Sequence, residues 1–191
     1  MKRNFLVAVR VTMITTVVFG LAYPLLVTLL SQWIFPNQAN GSLVMKDGKV
    51  VGSKLIAQAF TGDQYFHPRP SAAGNGYDPT SSGGSNLAPT NQALVTRVRQ
   101  DLARLEAENP GATIPADLVT TSGSGLDPDI SPASAEFQIP RVANARGMNT
   151  DDLRRIVARH AQTRQLGLLG GPRVNVLELN LDLDASAPAK P

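Results

Sequence analysis

Two histidines, one pair of aspartates and three segments rich in Gly, Ser and Asn are the parts of this chain whose residue types could do chemistry. His67 and His160 stand far apart, without the H-E-x-x-H spacing that sets two imidazoles on one helix face, so they do not read as a metal site. His160 follows Ile156 at helical spacing and reads as a core-edge residue. Asp127 and Asp129 flank Pro128, which suits a turn ahead of Ser131-Pro132 better than acid–base work. Ser122-Gly123-Ser124-Gly125 has Ser where a nucleophile elbow needs its first Gly. No Ser is followed three positions later by Lys, and the phosphate-cradling G-x-x-x-x-G-K-[ST] is absent. Without Cys there is no thiolate ligand, disulfide or Cys nucleophile. No complete constellation results. Catalytic, cofactor-binding and metal residues are therefore expected to be none.

What remains is Asn40-Gly41-Ser42, Ser82-Gly83-Gly84-Ser85-Asn86 and Ser122-Gly123-Ser124-Gly125-Leu126-Asp127-Pro128. Such segments present successive backbone N–H groups to an anion or a partner's backbone, or they make tight turns. A membrane-anchored extracytoplasmic enzyme or solute-binding domain would use them around a pocket lined by His67, Arg69 and Tyr77. It would also need a nucleophile–base pair, and none is found.

The elements that position these residues begin with an anchor. Val11 to Phe35 is an almost unbroken apolar run, and no charge falls between Arg10 and Lys46. At 1.5 Å per residue it reaches roughly 37 Å as a helix, enough to cross a hydrocarbon core of ~30 Å with some tilt. The run is too long for a signal-peptide centre, and Pro36 to Gly41 offers no cleavage site, so a retained transmembrane helix is favoured over a signal peptide or a buried core helix. Trp33 suits the interface. Gly20 and Pro24 mark a bend or a packing site against other membrane helices.

Lys2, Arg3 and Arg10 account for the whole net charge of +3, because basic and acidic side chains cancel after Phe35. The positive-inside bias then sets the N-terminus in the cytoplasm. A neutral domain has no electrostatic footprint for nucleic acid.

The division is 1–10 cytoplasmic, 11–35 transmembrane, 36–184 an extracytoplasmic domain and 185–191 a disordered tail. Asp47-Gly48 sits between Leu43–Lys46 and Lys49–Val51 as a type I′ hairpin turn. Pro68 to Asn91 reads as a long loop, a flexible linker or a functional segment held by the nearby aromatics Tyr65, Phe66 and Tyr77. Leu94, Val98, Leu102 and Leu105 give a helix over 91–108. Ser131-Pro132 opens a short helical turn that Pro140 interrupts. Asn149 or Thr150 caps a helix over 151–164 with Leu153, Ile156 and Val157 inward. From Leu177 the closing segment to Leu183 alternates and reads as a strand. The fold class is α+β, one N-terminal transmembrane helix followed by a single mixed α+β extracytoplasmic domain.

Several longer motifs stand in order: Gly20-Leu21-Ala22-Tyr23-Pro24-Leu25, Phe35-Pro36-Asn37-Gln38-Ala39-Asn40-Gly41-Ser42-Leu43, Gly52-Ser53-Lys54-Leu55-Ile56 and Tyr65-Phe66-His67-Pro68-Arg69-Pro70-Ser71. Ser82-Gly83-Gly84-Ser85-Asn86-Leu87, Val119 to Pro128, Pro140-Arg141-Val142 and Val174 to Asn180 complete them. Together they resemble the C-subunit (KdpC) family of the Kdp high-affinity potassium-transporting P-type ATPase. Ala57 departs mildly from that pattern, which has Gly there.

The resemblance implies a non-catalytic accessory subunit of an ATP-driven potassium importer in the bacterial inner membrane. Its partners are a potassium-pore subunit, a P-type pump subunit and membrane lipid; ATP and potassium are handled by the complex, with no cofactor bound here. The chain lacks the D-K-T-G of a pump. Two roles attach to the family: a catalytic chaperone that raises the pump's ATP affinity, with Ser82-Gly83-Gly84 likened to L-S-G-G-Q but lacking its Gln, and a structural cap on the pore's outer face. The second is favoured. The expected contacts are Gly20 and Pro24 in the bilayer and Tyr65, Phe66, Arg69, Ser82, Gly83, Ser85 and Asn86 outside it.

Overall fold

Proline decides the form of the first helix. In a computed structural model, which describes residues 1–186, one helix runs Lys2–Ile34, with α-helical parts α1 (Lys2–Thr15) and α2 (Tyr23–Ile34) joined by a π-helical stretch, Thr16–Ala22. Pro24 has no N–H to give Gly20, and the backbone ahead of it widens to i→i+5 bonding, Tyr23 N donating to Val18 O. The helix thus begins well before residue 11, and none of its residues is buried. It is long and apolar enough to cross a membrane. A short turn, α3 (Pro36–Ala39), follows it. The hairpin of β1 (Leu43–Lys46) and β2 (Lys49–Ser53) turns on Asp47 (φ 52°) and Gly48 (φ 74°), the two positive angles of a type I′ turn.

The chain divides into two units, 1–51 and 52–191. In the second, helix α4 (Gln92–Glu108) is capped by Asn91, whose side chain accepts from Ala93 N. Only Leu105 of its apolar stripe is buried, in a small cluster with Leu118, Val119 and Phe137. Strand β3 (Asp129–Ile130) leads into α5 (Pro132–Arg146), which Ser131 caps through Ser134 N and Gly147 ends at φ 63°. Pro140 does not stop α5. It removes one intrahelical bond, but buried Ile139 and Val142 on either side hold the helix against the main core.

Helix α6 (Thr150–His160), capped by Asn149, buries Leu153, Ile156 and Val157 as expected and stops four residues short of Arg164, where β4 (Ala161–Gln162) starts. Strand β5 (Arg173–Asn175) is the middle of an antiparallel sheet in the order β3-β5-β4, with Ile130 and Ala161 both in register with Val174.

The closing segment is the main correction. Val176–Ser186 is a helix, α7, not a strand. Val176, Leu179, Asn180 and Leu183 are buried at i, i+3, i+4 and i+7, and Asn175 Oδ1 accepts from Glu178 N at 3.1 Å, a helix start that Asn-x-x-Glu encodes. Ala185 and Ser186 belong to this helix rather than to a tail; 187–191 lie outside the described residues. Helices α5, α6 and α7 cover the sheet, and Phe66 enters their core from a loop.

Candidate functional site

The motif-bearing loops converge on one another, and side chains from α5 and α7 fix their shape. From Asp63 to His67 the chain has no regular partner strand, yet every backbone carbonyl accepts a hydrogen bond from a side chain. Arg141 Nη1 donates to Asp63 O (2.7 Å) and Tyr65 O (2.9 Å), and Arg146 Nε to Gln64 O (2.6 Å). Asn180 accepts from Phe66 N and donates to Phe66 O, both at 2.9 Å. Gln138 does the same for His67, at 2.8 and 3.1 Å. Two carboxamides thus replace a neighbouring strand. Buried backbone groups need such partners because each left unpaired costs about 1–3 kcal/mol.

The cations are held in turn. Arg146, with its side chain fully buried, pairs with Asp184 Oδ1 (2.9 Å) and lies 5.2 Å from the Tyr65 ring centroid. Arg141 pairs with Glu108 Oε1 (2.9 Å) and donates to Gln138 Oε1 (2.7 Å).

Beyond His67 the segments clip together. Arg69 Nη1 pairs with Asp127 Oδ2 (2.9 Å), and Tyr77 Oη donates to Arg69 O (2.8 Å). Ser71 Oγ donates to Gly125 O (2.6 Å) and accepts from Tyr77 N (2.9 Å). Gly83 N and Ser82 Oγ both donate to Ser124 O, at 2.8 and 3.0 Å, and Ala57 N donates to Leu126 O at 2.9 Å. Pro68 to Asn91 is accordingly a tied loop, not a linker. Gly125 (φ 66°) lies where three backbones meet, and a β-carbon there would stand 2.5 Å from Gly83 O and 2.8 Å from Ala73 N.

Of the expected contact residues, Tyr65, Arg69, Ser82 and Gly83 lie in this cluster, with Ser85 half-buried and Asn86 exposed (φ 51°) just beyond them in the chain. Phe66 does not reach a surface. It is fully buried, because a large apolar ring gains most by entering the core, so it is withdrawn from the contact set. Gln138, Arg141, Arg146 and Asn180, which do the positioning, were not singled out from the sequence. A polar side chain within a buried helical face was the available signal.

A cleft of about 240 Å³ runs beside the clamp, lined among others by His67, Tyr77, Arg104 and Glu108. It does not join His67, Arg69 and Tyr77 as a ligand pocket: Arg69 turns to Asp127 instead. Burial pushes the Tyr77 hydroxyl up to about 12. Burial also lowers the His67 pKa, with the Arg141 charge acting in the same direction against a Gly62 O contact. The fold therefore favours neutral His67. Its stability is full above the ordinary imidazole value of about 6.5 and is lost as pH falls from there through the lowered folded value. Melting profiles of a His67→Gln variant are expected to be flatter across that window than those of the parent chain.

His160 Nε2 meets Asp182 Oδ2 at 2.9 Å, a link between α6 and α7. Asp127 and Asp129 each face an arginine, Arg69 and Arg173, and Asp127 Oδ1 accepts from Asp129 N across the turn. Among the described residues no group of three His, Asp or Glu could hold a metal ion.

The family described as "K+-transporting ATPase, c chain" matches residues 5–185, from the apolar helix through α7. The chain belongs to the KdpC family. It is 57% identical over 188 residues to the potassium-transporting ATPase KdpC subunit of Koribacter versatilis, covering 98% of this chain and 97% of that one. The KdpC subunit of Acidobacterium capsulatum is 60% identical over 178 residues, covering 93% and 95%. That of Caulobacter vibrioides is 60% identical over 174, covering 91% and 88%. A KdpC chain is an accessory subunit of a potassium-importing ATPase and is associated with the membrane. The residues that define the clipped loops all fall inside the KdpC match.

Proposed function

We propose that this chain is a single-pass, non-catalytic subunit that assembles and stabilises an ATP-driven potassium importer from the outer face of its pore subunit. The observation that carries the reading is one long apolar helix, none of it buried, joined to a separately folded domain with tied loops. The helix crosses the bacterial inner membrane, with Lys2, Arg3 and Arg10 holding the N-terminus in the cytoplasm. The domain then lies outside, away from any ATP pool, and the partners are the pore and pump subunits. A rise in the pump's ATP affinity would reach it allosterically. Within Ser82-Gly83-Gly84 the Gly83 N–H is already given to Ser124 O, so it is not free to cradle a phosphate.

Because the chain has no Cys, one introduced thiol reports its side unambiguously. Thr90→Cys, at an exposed position, is expected to react with a membrane-impermeant thiol reagent in intact spheroplasts. Labelling only after lysis would put the domain inside and revive direct ATP chemistry.

In lipid, helices associate by packing rather than by a hydrophobic drive. At Gly20 a β-carbon meets only Thr16 Cγ2, at 3.8 Å, so a larger side chain fits the helix itself and is felt only by a neighbour. Overpacking costs about 1–3 kcal/mol, so Gly20→Leu is expected to lower recovery of the purified complex roughly ten-fold with insertion unchanged. A chain cut before Pro36 that still restored potassium uptake would refute the role given to the helix. Outside the bilayer the contacts are Tyr65, Arg69, Ser82, Gly83, Ser85 and Asn86.

A further inference from the structure

The connection from β4 to β5 ends in an apolar tip that nothing in the domain covers. Leu166 is 90% exposed, Leu168 81% and Leu169 59%. Among the described residues of 52–186, the other exposed large apolar side chains, Leu55 and Leu102, stand singly. β-Carbons placed on Gly167, Gly170 or Gly171 would meet no atom within 4 Å, so the tip stands clear of its surroundings.

Four backbone hydrogen bonds close it on itself. Gln165 and Leu169 exchange both hydrogen bonds (3.0 and 2.9 Å), Leu168 N donates to Gln165 O and Gly167 N to Arg164 O. Leu166 is held at φ 53°, a left-handed angle that a branched side chain adopts only when the surrounding turn imposes it.

We propose that the Leu166–Leu169 tip is a wedge that enters the anionic lipid surface of the membrane crossed by the chain's own helix. The inference rests on the spanning helix of the proposed function. Three observations favour lipid over a protein groove. Four of the turn's backbone N–H groups, those of Gln165, Gly167, Leu168 and Leu169, are paired within it, which lowers the cost of leaving bulk water. Exposed leucines beside a cation suit an apolar layer beneath anionic headgroups, and the exposed Arg164 side chain makes no ion pair among the described residues. Protein hot spots draw instead on Trp, Tyr and Arg, with Leu under-represented, and the tip offers no aromatic. The tether makes the encounter local: residues 35–51 reach at most about 60 Å even when fully extended.

The test uses the full chain in nanodiscs of phosphatidylglycerol and phosphatidylcholine brominated near the headgroup. Trp33 is the single Trp, so the parent chain reports the helix, and Leu168→Trp in a Trp33→Phe background reports the tip. Both are expected to show blue-shifted emission and loss of intensity with brominated lipid. Adding Arg164→Ala should lower the ratio of lipid-engaged to free tip about five-fold, the effect of one basic side chain at an anionic surface. If Trp33 is quenched while the indole introduced at the tip keeps water-like emission, the wedge is wrong and the spanning helix stands. If neither is quenched, both are wrong. If the tip indole becomes shielded only when the other subunits assemble, and without bromine quenching, its occupant is protein and the proposal falls. An unchanged far-ultraviolet circular dichroism melt verifies that the variant is folded.

Discussion

Gly125→Ala is expected to separate the loops of the domain and to cost at least ~2–3 kcal/mol of stability. The left-handed angle alone costs an L-residue about 1–2 kcal/mol. The added methyl would also lie 2.5 Å from Gly83 O and 2.8 Å from Ala73 N, both backbone atoms that no rotamer change can move aside. Relief requires the Ser82–Asn86 loop to back away, which breaks the Gly83 N and Ser82 Oγ bonds to Ser124 O. Urea unfolding of the chain in detergent should show the midpoint falling. Recovery of the potassium-transporting complex should fall with it if this cluster touches the pore subunit. Ser82→Ala removes one hydroxyl bond without moving a backbone and serves as the mild control, at about 1 kcal/mol. A Gly125→Ala chain with parental stability would show that the loops are not clipped in solution.

The elements most legible in the sequence are those coded by neighbours. Asp47-Gly48, the Ser131 and Asn149 caps and the Leu153/Ile156/Val157 stripe are local signals, and each appears where its chemistry places it. Two errors came from giving one local signal too much weight. Alternating leucines after Leu177 suggested a strand, while the Asn175-x-x-Glu178 cap and the 176/179/180/183 spacing already encoded α7. Pro140 suggested a break, but one lost bond is small beside the apolar surface that α5 buries on both sides of it.

The sheet could not have been read in this way. Its strands are two or three residues long, and they exist only through pairing between positions far apart. The same holds for the clamp on Asp63–His67. Its donors come from α5 and α7, so no window around the Tyr65-Phe66-His67 motif contains the reason for its shape. What the sequence did offer was indirect: Gln138 beside Ile139, and Asn180 among leucines, are polar residues on faces that must be buried, and such residues need a partner.

Asn180 therefore carries the other large expected effect. Asn180→Leu keeps size and apolar burial but removes both hydrogen bonds to Phe66, a residue no water reaches. Two buried backbone groups left unpaired cost about 1–3 kcal/mol each, so a loss of roughly 2–6 kcal/mol is expected, a large part of the 5–15 kcal/mol of an ordinary domain. Asn180→Asp isolates the donor: the carboxylate still accepts from Phe66 N but cannot donate to Phe66 O, and it places a charge in the core. It should do at least as much harm at neutral pH and partly recover as pH falls, because the protonated carboxyl regains an O–H to donate. Gln138→Leu at the next residue should act in parallel, and because Phe66 and His67 share one extended segment, the double variant should cost less than the two separately. Full additivity would mean that the two carboxamides hold independent sites rather than one strand-like unit. An Asn180→Leu chain with the parent's urea midpoint would mean that the Phe66 backbone finds other partners, and that α7 does not set the shape of the motif that precedes the clipped loops.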